Sequence, residues 1–162
     1  MSALLRQAVP LLAQGLRLDP QPALSAIQDA DRCLAEWRQN ASSTTLAPLG
    51  VDPGMTLQDG RCWAQVLGAW SQPTLLLIDS SQLGSGSAAA STALMAQHGV
   101  PLLGLIQWGG AWQAPLRRLE GLPWLGMAGP LDQQEPGDLR LALALRAARL
   151  LEGGDGDQGI SG

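Results

Sequence analysis

At 162 residues, 46% apolar and 15% charged, the chain has room for one globular domain with a sizeable core and is too short for two ordinary ones. Its formal net charge is −4, and all ten basic residues are arginines, scattered except for the pair Arg117–Arg118. No basic stripe could neutralise a row of phosphates, which argues against nucleic-acid binding. Lysine, tyrosine and phenylalanine are absent, no run approaches the ~20 apolar residues of a membrane span, and no G-x-x-x-x-G-K-[ST] occurs. A conventional P-loop NTPase and a membrane-spanning helix are thereby excluded as readings of this chain alone, and six tryptophans as the sole aromatics argue against a base-stacking platform.

The elements follow in chain order. Leu5, Val9, Leu12 and Leu16 make a helical stripe interrupted by Arg6, Gln7 and Gln14, which predicts an amphipathic helix over about Ser2–Leu16 rather than a signal-peptide core. Asp19-Pro20 breaks it. Leu24, Ile27, Ala30, Leu34 and Trp37 predict a second helix over about Ala23–Arg38. After the Ser42–Thr45 cluster, Leu46-Ala47-Pro48-Leu49 reads as a short extended segment. Thr56-Leu57-Gln58-Asp59 has capping-box spacing and would open a helix reaching about Trp70, ended by Ser71-Gln72-Pro73.

From there helices and strands alternate. Thr74-Leu75-Leu76-Leu77-Ile78-Asp79 is a continuous apolar run, the signature of a strand buried on both faces in a parallel sheet. A Gly/Ser loop leads to a helix over Ser87–His98, with Gly99 at its C′ position. Val100–Gln107 is the next strand, Trp112–Leu119 a short helix with Pro115 near its start, and Pro123–Met127 the last strand. The closing helix, Asp138–Glu152, has aspartate at its start and arginines further along, as the helix dipole favours. Such alternation predicts βαβ units and a three-layer α/β domain with a mainly parallel sheet. The domain is expected over residues 1–152, the first forty helical, with a disordered Gly/Asp-rich tail over 153–162.

Few residues carry chemistry. Cys33 and Cys62 lack CxxC spacing and read as two thiols in a reduced cytosol, since a zinc site needs about four ligands and His98 is the only histidine. No metal site and no catalytic residue is expected, and one histidine offers few ways to assemble a triad. Gly84-Ser85-Gly86-Ser87-Ala88-Ala89, between a strand and a helix, matches G-x-G-x-x-A and marks a candidate anion site at a helix start. The loop from Asp79 is longer than a Rossmann turn, and Gln107-Trp108 stands where a dinucleotide site wants a carboxylate. Asp79 resembles a Walker-B aspartate, although an aspartate opening a serine-rich turn is commoner. Trp108 and Trp112 flank Gly109-Gly110 at a strand's C-terminal end and could wall a pocket, with core or interface packing the plainer alternative.

Taken together, Leu46–Leu151 resembles the C-terminal half of dethiobiotin synthase, which closes a ureido ring from a diamine, CO₂ and ATP. The phrases that carry the likeness are Leu46-Ala47-Pro48-Leu49 with Thr56-Leu57-Gln58-Asp59, Pro73-Thr74-Leu75-Leu76-Leu77 with Leu83-Gly84, Gly99-Val100-Pro101-Leu102-Leu103-Gly104-Leu105-Ile106, and Leu122-Pro123-Trp124-Leu125-Gly126-Met127. The resemblance implies a P-loop-NTPase-like scaffold in which this chain lacks the P-loop half and its lysines. The family's acidic glycine-rich stretch falls on Asn40-Ala41-Ser42-Ser43-Thr44, and its purine-reading asparagine falls on Trp108, with Gln107 beside it as a substitute amide. The loop Ala128–Leu131, with Gly129, stands where the family's chain passes the base. Carried over position by position, the nucleotide- or ligand-binding candidates are Gly84, Ser85, Gly86, Ser87, Gln107, Trp108 and Gly129. The expectation is a degenerate relative without independent activity, cytoplasmic, using ATP and Mg²⁺ only if a second chain supplies the phosphate loop. The alternatives are a non-catalytic interaction module, as a homodimer or on another protein, and a small-ligand-binding domain.

Overall fold

A computed structural model describes residues 3–25, 29–41, 45–129, 139–146 and 148. The chain is an α/β protein with parallel sheets, alternating helices and strands, and an N-terminal helix. Helix α1 spans Ala3–Leu16, as its stripe predicts. Beyond it, strand β1 (Asp19–Pro20) pairs in parallel with β2 (Thr45–Leu46), and Leu24 continues the ladder as a bridge to Leu49. Helix α2 (Ala30–Asn40) is the crossover between these two segments.

The predicted helix over Ala23–Arg38 is therefore wrong at its start. Pro20 and Pro22 push the residues before them toward extended backbone. The Leu24 N–H then donates to Pro48 O (2.8 Å), and the Gly50 N–H to Leu24 O (2.7 Å). A ladder from residues far along the chain overrides the helical period, and the helix begins only where Asp29 accepts from the Arg32 N–H at 2.9 Å.

A second boundary also moves. Thr56–Asp59 does not open a helix. Leu57 and Arg61 close a turn (N–H to O, 2.7 Å), with Gly60 in the left-handed region (φ 84°) that glycine tolerates best. The cap falls at Cys62, whose N–H donates to Gln65 Oε1 at 2.8 Å, and α3 runs Trp63–Ala69. The remaining elements are β3 (Thr74–Asp79), a 3₁₀ turn (Ser80–Gln82), α4 (Ser87–Gln97), β4 (Leu102–Trp108), α5 (Ala114–Leu119) and β5 (Trp124–Ala128). Residues 139–146 form a further helix, α6. The rest of the predicted closing helix and the tail Gly153–Gly162 lie outside the described residues.

Strands β3, β4 and β5 form one parallel sheet in that order, with Leu77 opposite Ile106 and Ile106 opposite Gly126. Side chains alternate between its faces. Toward one face, Leu75, Leu77, Ile106 and Trp108 pack with Ala8 and Leu12 of α1 and Leu139 of α6. Toward the other, Leu76 and Leu102 pack with Leu34, Trp63, Val66, Leu67 and Met95 of α2, α3 and α4. Close approach of α3 to the end of α4 depends on Gly68, where a Cβ would lie 1.8 Å from the His98 carbonyl oxygen. Among the described residues no helix is long and apolar enough to cross a membrane.

Candidate functional site at the strand ends

Open parallel sheets bind ligands beyond the C-terminal ends of their strands. Here the ends of β3, β4 and β5 bring together Ser80, Gly109, Gly110 and Gly129. A Cβ on Gly110 would lie 2.8 Å from Ser80 Cβ, and one on Gly129 would lie 3.7 Å from Gly109 Cα. Gly109 and Gly110 both have φ of 69°, so the backbone turns sharply just past β4.

The polar groups at this edge are engaged by their own loops. Asp79 accepts from the Ser81 N–H (2.8 Å) and the Ser81 hydroxyl (2.6 Å). These two bonds hold its carboxyl below the ordinary carboxylate range. The turn-opening role anticipated for this aspartate is the one it fills.

Gln107 is fully buried, and its amide turns inward. Nε2 donates to Gly109 O (2.8 Å) and Ala111 O (3.2 Å), clamping the glycine turn, while Oε1 is buried without a partner. Of the amide carried over as a base-edge candidate, the nitrogen is thus bonded to the backbone and the oxygen is not bonded. Trp108, next in the strand, faces the opposite side and is buried beside Ile106 against α1 and α6.

Trp112 meets Trp124 edge to face, with ring centroids 6.2 Å apart and planes at 77°. Arg117 lies 5.1 Å over the Trp124 ring and pairs with Glu120 at 2.5 Å, and Glu120 also accepts from Trp124 Nε1 at 2.7 Å. This cluster braces α5 against the start of β5, which is packing of the plainer kind.

The Gly84–Ser87 loop is exposed up to Gly86, where α4 begins. Gly84 and Gly86 have φ of 81° and 83°, and a Cβ on either would meet nothing within 4 Å. The Ser85 hydroxyl donates to Gln82 O (2.6 Å) and accepts from the Ser87 N–H (3.3 Å), so Ser85 is bonded within its own turn. His98 is the C-cap of α4, and Cys33 and Cys62 are free thiols. Among the described residues no group of three or more His, Cys, Asp or Glu could hold a metal ion.

No family model and no curated protein matches the chain.

Two features escape a reading along the sequence. One is a polar staple between α2 and α3: Asp31 accepts from Arg61 and from Trp70 Nε1 (2.7 Å), Arg61 also pairs with Asp59 at 2.6 Å, and Arg38 stacks 5.5 Å over the Trp70 ring. Nothing in the local spacing announces partners 30 or more positions apart. The other is an apolar cleft of about 1080 Å³ reached by both β2 and β3.

Proposed function

We propose that the chain is a dethiobiotin-synthase-like scaffold, built on a three-layer, P-loop-NTPase-like plan, that does not carry out ATP-dependent ring closure by itself. The observation that carries this reading is the state of the strand-end polar groups. Asp79 is committed to Ser81, Gln107 to Gly109 and Ala111, and Ser85 to Gln82 and Ser87. Catalysis of phosphoryl transfer depends on positioning and on charge stabilisation of the transferring phosphoryl group, and that task falls to lysine, arginine and metal-holding carboxylates. The chain has no lysine. The strand phrases that resemble the family are the parts a scaffold needs, and they form β3, β4 and β5.

The test is direct. Purified protein supplied with the diamine, CO₂ and Mg-ATP is expected to give no ring closure, and millimolar ATP or ADP to leave the tryptophan fluorescence unchanged. Turnover by the chain alone would overturn the reading. A saturable fluorescence response without turnover would favour a nucleotide-binding domain instead.

A further inference from the structure

The geometry points to a second role that goes beyond the nucleotide reading and does not rest on it: we propose that the cleft between β2 and β3 receives an apolar β-strand from a partner polypeptide, joining the two sheets into one.

Beyond the register shift after Thr74, Leu105 donates to Pro123 O and so faces β5; its partner Leu76 therefore turns its backbone groups toward β4, as does Ile78, while Leu75, Leu77 and Asp79 turn theirs away. Among the described residues β3 pairs with β4 alone. The same parity holds on the other wall. Leu46 O, Pro48 O and Gly50 N–H all bond toward the β1 segment, so Ala47 and Leu49 face the opposite way. Consecutive residues of each segment, 45–49 and 73–77, line the cleft. A strand that lined it with one face would contribute every second residue, so each presents its edge.

Shape and chemistry select the occupant. Helix α1 contributes Leu5, Val9 and Leu12 from one side, and Trp37, Leu67 and Met95 contribute from α2, α3 and α4 on the other. The cleft thus lies in the sheet layer with helices to either side, and its lining is mainly apolar. The cleft has about 1080 Å³ of open space, and the β3 edge that bounds it is six residues long. A compact small molecule would satisfy the apolar walls but not two backbone edges repeating every second residue. Strand addition satisfies both. The partner segment is therefore extended, about six residues long, apolar on both faces and free of proline where its N–H groups must donate.

The probe is a peptide with a core of about six Val/Ile residues flanked by lysine pairs, and its control is the same peptide N-methylated at alternate core residues. Titrated into the full chain, the first is expected to slow amide exchange at Leu75, Leu77, Ala47 and Leu49 by tenfold or more. The control, which lacks donors along one edge, is expected to bind at least tenfold more weakly. Ala47→Pro removes a donor facing the cleft and is expected to weaken peptide binding, with the amide exchange of the β3–β4 ladder unchanged. Equal binding of both peptides, or no protection at those four amides, overturns the proposal in favour of a simple apolar pocket. A peptide-free dimer with those amides already protected overturns it in favour of a second copy of this chain.

Discussion

Strands β3 and β4 have nearly the same composition, yet they end in different surroundings. Leu75-Leu76-Leu77-Ile78 is as apolar as Leu102-Leu103-Gly104-Leu105-Ile106, and both read as strands buried on two faces. In β4 every residue from Gly104 to Trp108 is buried; in β3 only Ile78 is. The difference is position. Among the described residues β4 has a hydrogen-bonded neighbour on each side, whereas β3 has one and turns its other edge to the cleft. Apolar patterning states what a strand can tolerate, and its neighbours decide how much of that is realised.

The sharpest way to probe the contrast is matched truncation. Leu105→Ala is expected to cost about 2–5 kcal/mol, as for a fully buried leucine, and Leu75→Ala roughly half as much because it starts half-buried. Urea unfolding of the two variants measures both, and equal losses would mean that the β3 edge is covered in solution. Gly104→Ala comes next at about 1–3 kcal/mol. Its Cβ would lie 2.6 Å from Leu125 Cγ and 2.7 Å from Pro123 O, so β5 would have to move. The shift should appear as chemical-shift change along β5 rather than β3.

The strand ends offer a smaller test. Gln107→Leu leaves the Gly109 and Ala111 carbonyls without their amide donor, an expected loss of about 1–3 kcal/mol in thermal or urea unfolding. Asp79→Ala at the equivalent end of β3 removes an exposed cap and should cost at most about 1 kcal/mol. The smallest effect is on pH dependence. Hydrogen bonds from Arg61 and then Trp70 lower the Asp31 pKa, and those from Arg61 lower that of Asp59. A depressed folded-state pKa adds stability above the unfolded value, near ~3.9, and that stability is lost as pH falls through the folded value. Unfolding midpoints should therefore drop below about pH 4. In Asp31→Asn the drop should be shallower, and an unchanged profile would remove the staple from the stability of the α2–α3 pair.

How much of this was legible beforehand varies by element. The three strands of the main sheet, α1, and α4 with its C′ Gly99 follow from apolar runs and turn residues, because those signals are local. Failures occurred where a distant partner outbid a local pattern. Leu24 has helical spacing to Ile27, yet its backbone bonds to Pro48 and Gly50. Thr56–Asp59 has cap spacing, yet Asp59 turns to Arg61. The candidate site was legible as a place and not as an arrangement. Gly109, Gly110 and Gly129 do meet at the strand ends, but no spacing rule could show that Gln107 would point inward or that Trp112 would choose Trp124 over Trp108.

By itself the sequence determined an α/β chain with parallel strands and no lysine to hold a phosphate, because residue type and two- or four-residue periods act over short distances. Only the tertiary structure decided which edges meet and which do not. The pairing of β1 with β2, and the separate pairing of β4 with β3 and β5, depends on backbone groups that every residue carries alike. Identical donors and acceptors leave no trace in a string of side chains, so the cleft between β2 and β3 became visible only once the chain was folded.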